Sequence, residues 1–202
     1  MQKILKIIYI IIGSVIVVAI LIMSGLQINK IIFDKQLNQA KEQVKNYNAY
    51  KFGAGEYNKL KKSEKNEVYY YAADGKRYVF PDTNTYQSWF GPISIEDLNT
   101  YDLLKLYETP LGGNVTCRPG TLLKTITDPN TYIVIGNGHI KAVDNKILDQ
   151  VFDKNWQKNV IDIANYYFTN YKVDKPIENL SEFPEIPLSI TIDQDKDLKN
   201  DK

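Results

Sequence analysis

The chain has 202 residues, with 25 Lys and Arg against 24 Asp and Glu and a formal net charge of +1. Setting aside Lys3 and Lys6 at the start leaves 23 bases against 24 acids, so the basic footprint of a nucleic-acid-binding protein is absent. One cysteine, Cys117, excludes an internal disulfide, and one histidine beside it argues against a zinc site.

Residues 1–6 form a short tail carrying Lys3 and Lys6. Ile7 to Leu26 then run for twenty uncharged, mostly apolar residues, IIYIIIGSVIVVAILIMSGL. A helix needs about 20 such residues to cross the hydrocarbon of a bilayer. The run is longer than the apolar part of a cleaved signal, about 7–15 residues, and it ends in Ile22-Met23-Ser24-Gly25-Leu26 without an Ala-x-Ala site. An uncleaved transmembrane anchor is therefore expected, with the lipid bilayer as partner of Ile7 to Leu26. The short positive tail before a long domain places the N-terminus in the cytoplasm and the remainder outside the cell membrane, against the pull of Lys30, Lys35, Lys41 and Lys45.

Residues 27–58 read as a juxtamembrane stalk and hinge. Phe33, Leu37, Ala40, Val44 and Tyr47 fall at alternating spacings of four and three, a seam that rests on lipid or on the chain's own domain, or pairs two copies in a weak homodimer. Gly53 and Gly55 break the helix.

Residues 59–177 are expected to form an α+β domain of two tandem β-hairpin–helix repeats, units 60–115 and 123–177. Leu60-Lys61 aligns with Leu123-Lys124, Tyr69 with Tyr132, Asp74-Gly75 with Asn137-Gly138, and Phe80 with Val143. Asp-Gly and Asn-Gly suit a two-residue type I′ turn, which predicts hairpins of Val68–Ala73 with Lys76–Phe80 and of Tyr132–Gly136 with His139–Val143. Asp82 should cap a helix over Thr83–Phe90, and Asp144 one over Asn145–Phe152. Ser94-Ile95-Glu96-Asp97 resembles a capping box leading into a helix over Leu98–Leu106. Trp156, Val160, Ile163, Ala164 and Tyr167 predict a helix from Trp156 to Phe168. Asn114–Arg118 and Thr121–Ile126, around Pro119-Gly120, read as a further hairpin with a type II turn. Residues 178–202 read as extended to disordered, with an edge strand at Leu188–Ile192 and a solvated charged tail from Asp193 to Lys202.

The strings VYYYAADGKRYVFPDTNTYQSWF, GGNVTCRPGTLLK and TDPNTYIV, followed by a glycine hairpin and a helix, resemble a domain recurring in uncharacterised surface or envelope proteins of small-genome, uncultivated bacteria. The resemblance covers about Leu60 to Ile177 and implies architecture and location, not an activity. This chain departs from it at Cys117, where relatives carry an aromatic residue, and at Lys141-Ala142, where they carry Arg-Trp. The first departure argues that the thiol is not a family nucleophile.

Candidate chemistry is sparse. Cys117 and His139 are the one conceivable nucleophile–base pair, but they fall on different predicted hairpins and His139 follows a turn. Cys117 reads instead as a small buried strand residue. Asp193, Asp195 and Asp197 imitate the start of a calcium loop, but Leu198 stands where glycine is needed. Neither a metal nor a cofactor is expected, and no catalytic residue is marked out. Fifteen tyrosines and two tryptophans are the residual sign of binding. Most should fill the cores of the hairpin–helix units, and exposed members of Tyr69, Tyr70, Tyr71 and Trp89 are the candidate binding face. The resulting expectation is a non-enzymatic binding or scaffolding protein of the cell envelope, with cell-wall glycan or an envelope protein as partner. The alternatives are an envelope hydrolase with unidentified carboxylates and an accessory subunit of a membrane complex.

Overall fold

The computed structural model describes residues 2–49, 59–92, 94–100, 102–152, 154–187 and 189–195, so the glycine hinge expected near Gly53 and residues 196–202 lie outside the described residues. The chain divides after Gln39 into two units.

The first unit is carried by helix α1, which spans Gln2–Ala49 and continues into the second. It is long and apolar enough to cross a membrane. Val15 to Val18, Ile20 to Met23, Leu26, Ile28, Ile31 and Ile32 are each between 50% and 67% exposed. A helix that is apolar on every side needs an apolar surround, either a protein core or a bilayer. Ser24 donates its hydroxyl proton to the Leu21 carbonyl at 2.9 Å, which satisfies a polar side chain within the helix itself.

The second unit, from Ala40 onward, is α+β with two mixed sheets. Ala40 and Val44 are 5% exposed, so the later part of the expected seam of α1 is covered within this unit, whereas Phe33 at its start is 43% exposed. Tyr47 on the same stripe places its ring 4.3 Å from the guanidinium of buried Arg118 and shares a 3.0 Å hydrogen bond with the Thr121 hydroxyl.

The first sheet has the order β1-β2-β3-β4, from Leu60–Lys62, Val68–Tyr71, Arg77–Val79 and Leu111–Asn114. Its first two pairings are antiparallel and the third, β3 with β4, is parallel. Helix α2, Thr83–Phe90, starts where expected: the Asp82 carboxylate accepts the Thr85 amide at 2.7 Å. Behind this sheet lies a core of Leu60, Tyr70, Tyr78, Phe80, Tyr86, Trp89 and their neighbours.

The second sheet has the order β8-β5-β6-β7-β9, with β8 the short strand Ile161–Asp162. Leu122–Thr125, Asp128–Gly136 and His139–Val143 (β5 to β7) pair antiparallel, and β9, Lys172–Ile177, adds parallel to β7. Helix α4, Asn145–Val151, is capped by Asp144, whose carboxylate accepts the Lys146 amide at 2.8 Å. Cys117, Leu123, Tyr132, Val134, Ile140 and Ile163 form this sheet's core.

Several local expectations are corrected. Asn137 and Gly138 both have positive φ, 53° and 70°, as a type I′ turn requires. At Asp74-Gly75 only Gly75 is positive, at 77°, and its amide bonds the Ala72 carbonyl, giving a type I turn closed by a left-handed glycine. The Trp156–Phe168 helix is not formed. A short 3-10 turn, Trp156–Asn159, gives way to strand β8, Ile161–Asp162, and helix α5, Asn165–Phe168. The β-branched run Val160-Ile161 and Ile163 favours extended backbone, and β5 offers it an edge to pair with. The Leu98–Leu106 helix likewise reduces to a 3-10 turn at Ile95–Asp97 and helix α3 at Leu103–Glu108. Between them the Asn99 carbonyl accepts the Lys62 amide at 3.1 Å, beside a bridge from Thr100 to Lys62 of β1, and Asp102 supplies the cap. The guanidinium of Arg77 binds the Leu106 and Thr109 carbonyls at the far end of α3.

Pro119-Gly120 does make a turn, with Thr121 donating to the Arg118 carbonyl at 3.1 Å and Gly120 at φ 91°. It joins the two sheets instead of closing a hairpin, because Val115 bonds back to Val79 while Thr121 bonds to Val134. A Cβ at Gly120 would lie 2.7 Å from Ile186 and 2.9 Å from Tyr47, so only glycine permits α1 to pack here.

Among the described residues of the C-terminal segment, the predicted edge strand at Leu188–Ile192 is absent, and Asp193 and Asp195 are not the solvated charges expected. Ile192–Asp195 forms a short helix, α6, with Ile192 buried in the first core. Asp193 accepts from Lys59 Nζ at 2.7 Å, Tyr70 Oη at 2.8 Å and the Ala73 amide at 2.8 Å. Asp195, 4% exposed, accepts the Asn137 amide at 2.7 Å. One turn of helix thus ties together the ends of both hairpins.

Candidate functional site

A cleft of about 400 Å³ opens beside the first sheet. Its volume lies in the range of small-molecule sites, about 300–1,000 Å³. Two carboxylates line it, and the local fold fixes each.

Glu67 closes the β1–β2 turn. Ser63, 4% exposed, folds this turn by accepting the Lys65 and Glu67 amides on its hydroxyl, while Asn66 takes a left-handed conformation at φ 63°. The Glu67 carboxylate then accepts from Ser63 Oγ at 3.2 Å and Tyr69 Oη at 3.0 Å, both on Oε2. Asp82, on the other wall, is oriented by its capping duty: Oδ1 accepts the Thr85 amide and hydroxyl at 2.7 and 2.8 Å. Val68, Phe80 and Tyr86 form a buried floor, with Val79, Pro81 and Ile95 half-buried around it. The second sheet's segment contributes Tyr167, whose phenol is raised above its ordinary pKa by burial, by its hydrogen bond and charge coupling with Tyr166, and by nearby Asp82. Asn114, at the end of β4, lines the same cleft and donates to Asn170 at 3.0 Å.

The expected aromatic face is distributed otherwise. Tyr70 and Trp89 are 0% and 1% exposed, Tyr69 is 8% exposed, and Tyr71 is half-buried. Trp89 donates its indole proton to the Thr116 carbonyl at 2.7 Å, and Tyr70 bonds Asp193, so both are core residues with satisfied polar tips. Of the four, Tyr69 alone reaches the cleft's machinery, through Glu67. Glu67, Asn114 and Tyr167 were not singled out as site residues by sequence. Asp82 was, but only as a cap.

Cys117 and His139 do not share partners. Cys117 is fully buried; its Sγ lies 3.8 Å from Thr85 Oγ1 and its amide donates to Tyr171 Oη at 2.9 Å. Burial pushes the thiol up to about 11, against hydrogen bonds from Tyr171 and Thr85 that pull the other way, so it stays protonated at neutral pH and is a poor nucleophile. His139 instead places Nδ1 3.0 Å from the Asp174 carboxylate. Among the described residues there is no group of three or more His, Cys, Asp or Glu placed to hold a metal ion. Comparison of the chain with protein-family models, with curated proteins and with solved structures yields no match.

Proposed function

We propose that this chain is a membrane-anchored binding or scaffolding protein of the cell envelope, with its α+β unit held outside the cytoplasmic membrane. The observation that carries the reading is α1: a helix apolar on all sides from Val15 to Leu26, whose later stripe of Ala40 and Val44 is buried in the α+β unit. Lys3 and Lys6 ahead of the span favour a cytoplasmic N-terminus. The cleft walled by Glu67 and Asp82 supplies a place to bind, and the resemblance to envelope domains agrees in location.

The tandem hairpin–helix repeat belongs to the same proposal. Its support is that both sheets contain an antiparallel, antiparallel, parallel series of pairings, to which the second adds β8 parallel at its far edge, with a capped helix after the central hairpin of each. Leu60 and Leu123, equivalent in the alignment, are 1% and 0% exposed. The rival reading, a hydrolase, draws on the same two carboxylates, and loss of a glycan-cleaving activity in Glu67→Gln would favour it.

Carbonate extraction of membranes tests the anchor. The full chain should stay in the pellet. Ile16→Lys with Ile20→Lys adds about 5–7 kcal/mol to insertion, at about 2.5–3.5 kcal/mol for each central lysine, and should move most of the protein to the supernatant. Release of the unaltered chain by carbonate would count against anchoring.

A further inference from the structure

The cleft's chemistry narrows what it can bind. Among the described residues, the hydrogen bonds to Glu67 fall on Oε2 and those to Asp82 on Oδ1, so each carboxylate keeps a second oxygen that those residues leave unengaged. A carboxylate can only accept, so a complementary ligand must donate. Two such acceptors in one cleft repel an anion. Lys65 at the rim offsets part of their charge and weakens the attraction for a simple cation. Between the acceptors, half-buried Val79, Pro81 and Ile95 offer carbon surface, and Tyr167 offers an aromatic ring with a hydroxyl tip. Asn114 adds a planar amide with both donor and acceptor.

We propose that this cleft binds a neutral, hydroxyl-rich ligand, a glycan segment of one or two rings. This proposal rests on the binding-protein reading above. Ligand hydroxyls donate to Glu67 and Asp82 in charge-assisted bonds, while the C–H faces of the sugar lie against Tyr167 and Ile95. Glu67 is pre-oriented by Ser63 and Tyr69, so little freedom is lost on binding.

The test uses the full chain in phospholipid nanodiscs, free of sugar-based detergent, titrated with chitobiose and followed by saturation-transfer NMR. Chitobiose should receive saturation. Glu67→Gln and Tyr167→Ala should each weaken its binding at least about tenfold, the loss expected from one charge-assisted bond or one stacking face. Glu178→Gln, which lines a separate cleft at Pro129 and Ile177, should leave binding unchanged. Absence of transfer to both chitobiose and cellobiose would overturn the proposal. So would binding indifferent to both cleft substitutions, or a Glu67-dependent preference for cationic glucosamine over the neutral sugars. A chain found outside the cell but silent toward these sugars loses this proposal alone and keeps the envelope reading.

Discussion

Replacing Asp193 and Asp195 together with alanine should destabilise the α+β unit by about 3–6 kcal/mol, at about 1.5–3 kcal/mol for the charged hydrogen bonds of each carboxylate. Against a typical domain stability of about 5–15 kcal/mol, that is a large fraction. Asp193 holds Lys59, the hydroxyl of fully buried Tyr70 and the Ala73 amide at the first hairpin. Asp195 holds the Asn137 amide at the second hairpin's turn. Urea unfolding read by thiol labelling of Cys117, the sole and fully buried cysteine, reports the change directly. A shift under about 0.5 kcal/mol, the usual range for surface substitutions, would mean the C-terminal acids are solvated after all.

The same contact gives the α+β unit a pH dependence of known sign. Partial burial pushes the Asp193 carboxyl up, but hydrogen bonds from Lys59, Ala73 and Tyr70 outweigh it and hold the group below its ordinary 3.8. A folded-state pKa below the unfolded one contributes stability that is fully present well above pH 3.8 and is lost as pH falls through the folded value. Acid unfolding of the unaltered chain should therefore be steeper below about pH 4 than that of Asp193→Asn.

Trp89→Ala should cost about 3–5 kcal/mol, the range for truncating a fully buried aromatic residue. Trp89 is 1% exposed, packs in the first core and donates to the Thr116 carbonyl, next to Cys117. Trp89→Phe keeps most of the burial but loses that bond, and should cost about 1–3 kcal/mol. Urea midpoints measure both. A Trp89→Ala protein of unchanged stability with weakened ligand binding would instead make this residue part of an exposed face, contrary to its packing.

What was legible in the sequence was what local chemistry decides. Asp82 and Asp144 announce helix starts because a short acceptor before a helical stretch meets its free amides. Asn137-Gly138 announces its turn because few residues tolerate positive φ. The apolar run of α1 announces itself by length. The rest depended on partners far along the chain. Trp156, Val160 and Ile163 keep helical spacing, yet an open edge of β5 some forty residues earlier drew Ile161 and Asp162 into a strand. Asp193 and Asp195 look like solvated charges until Tyr70 and Asn137 are brought to them. The aromatic run Tyr69–Tyr71 suggested a surface, but β2 lies inside its sheet, between β1 and β3, and turns Tyr70 into the core. The cleft joins Glu67, Asp82 and Tyr167 from three separate stretches, a grouping that only tertiary structure creates.

Protease accessibility of a C-terminal tag in intact cells, with and without permeabilisation, tests the envelope reading most directly. Loss of the tag from intact cells is the predicted result and puts the α+β unit, with its cleft, outside the membrane. Protection until the membrane is opened, while a soluble control is cut in the same tube, would put that unit inside and contradict the account.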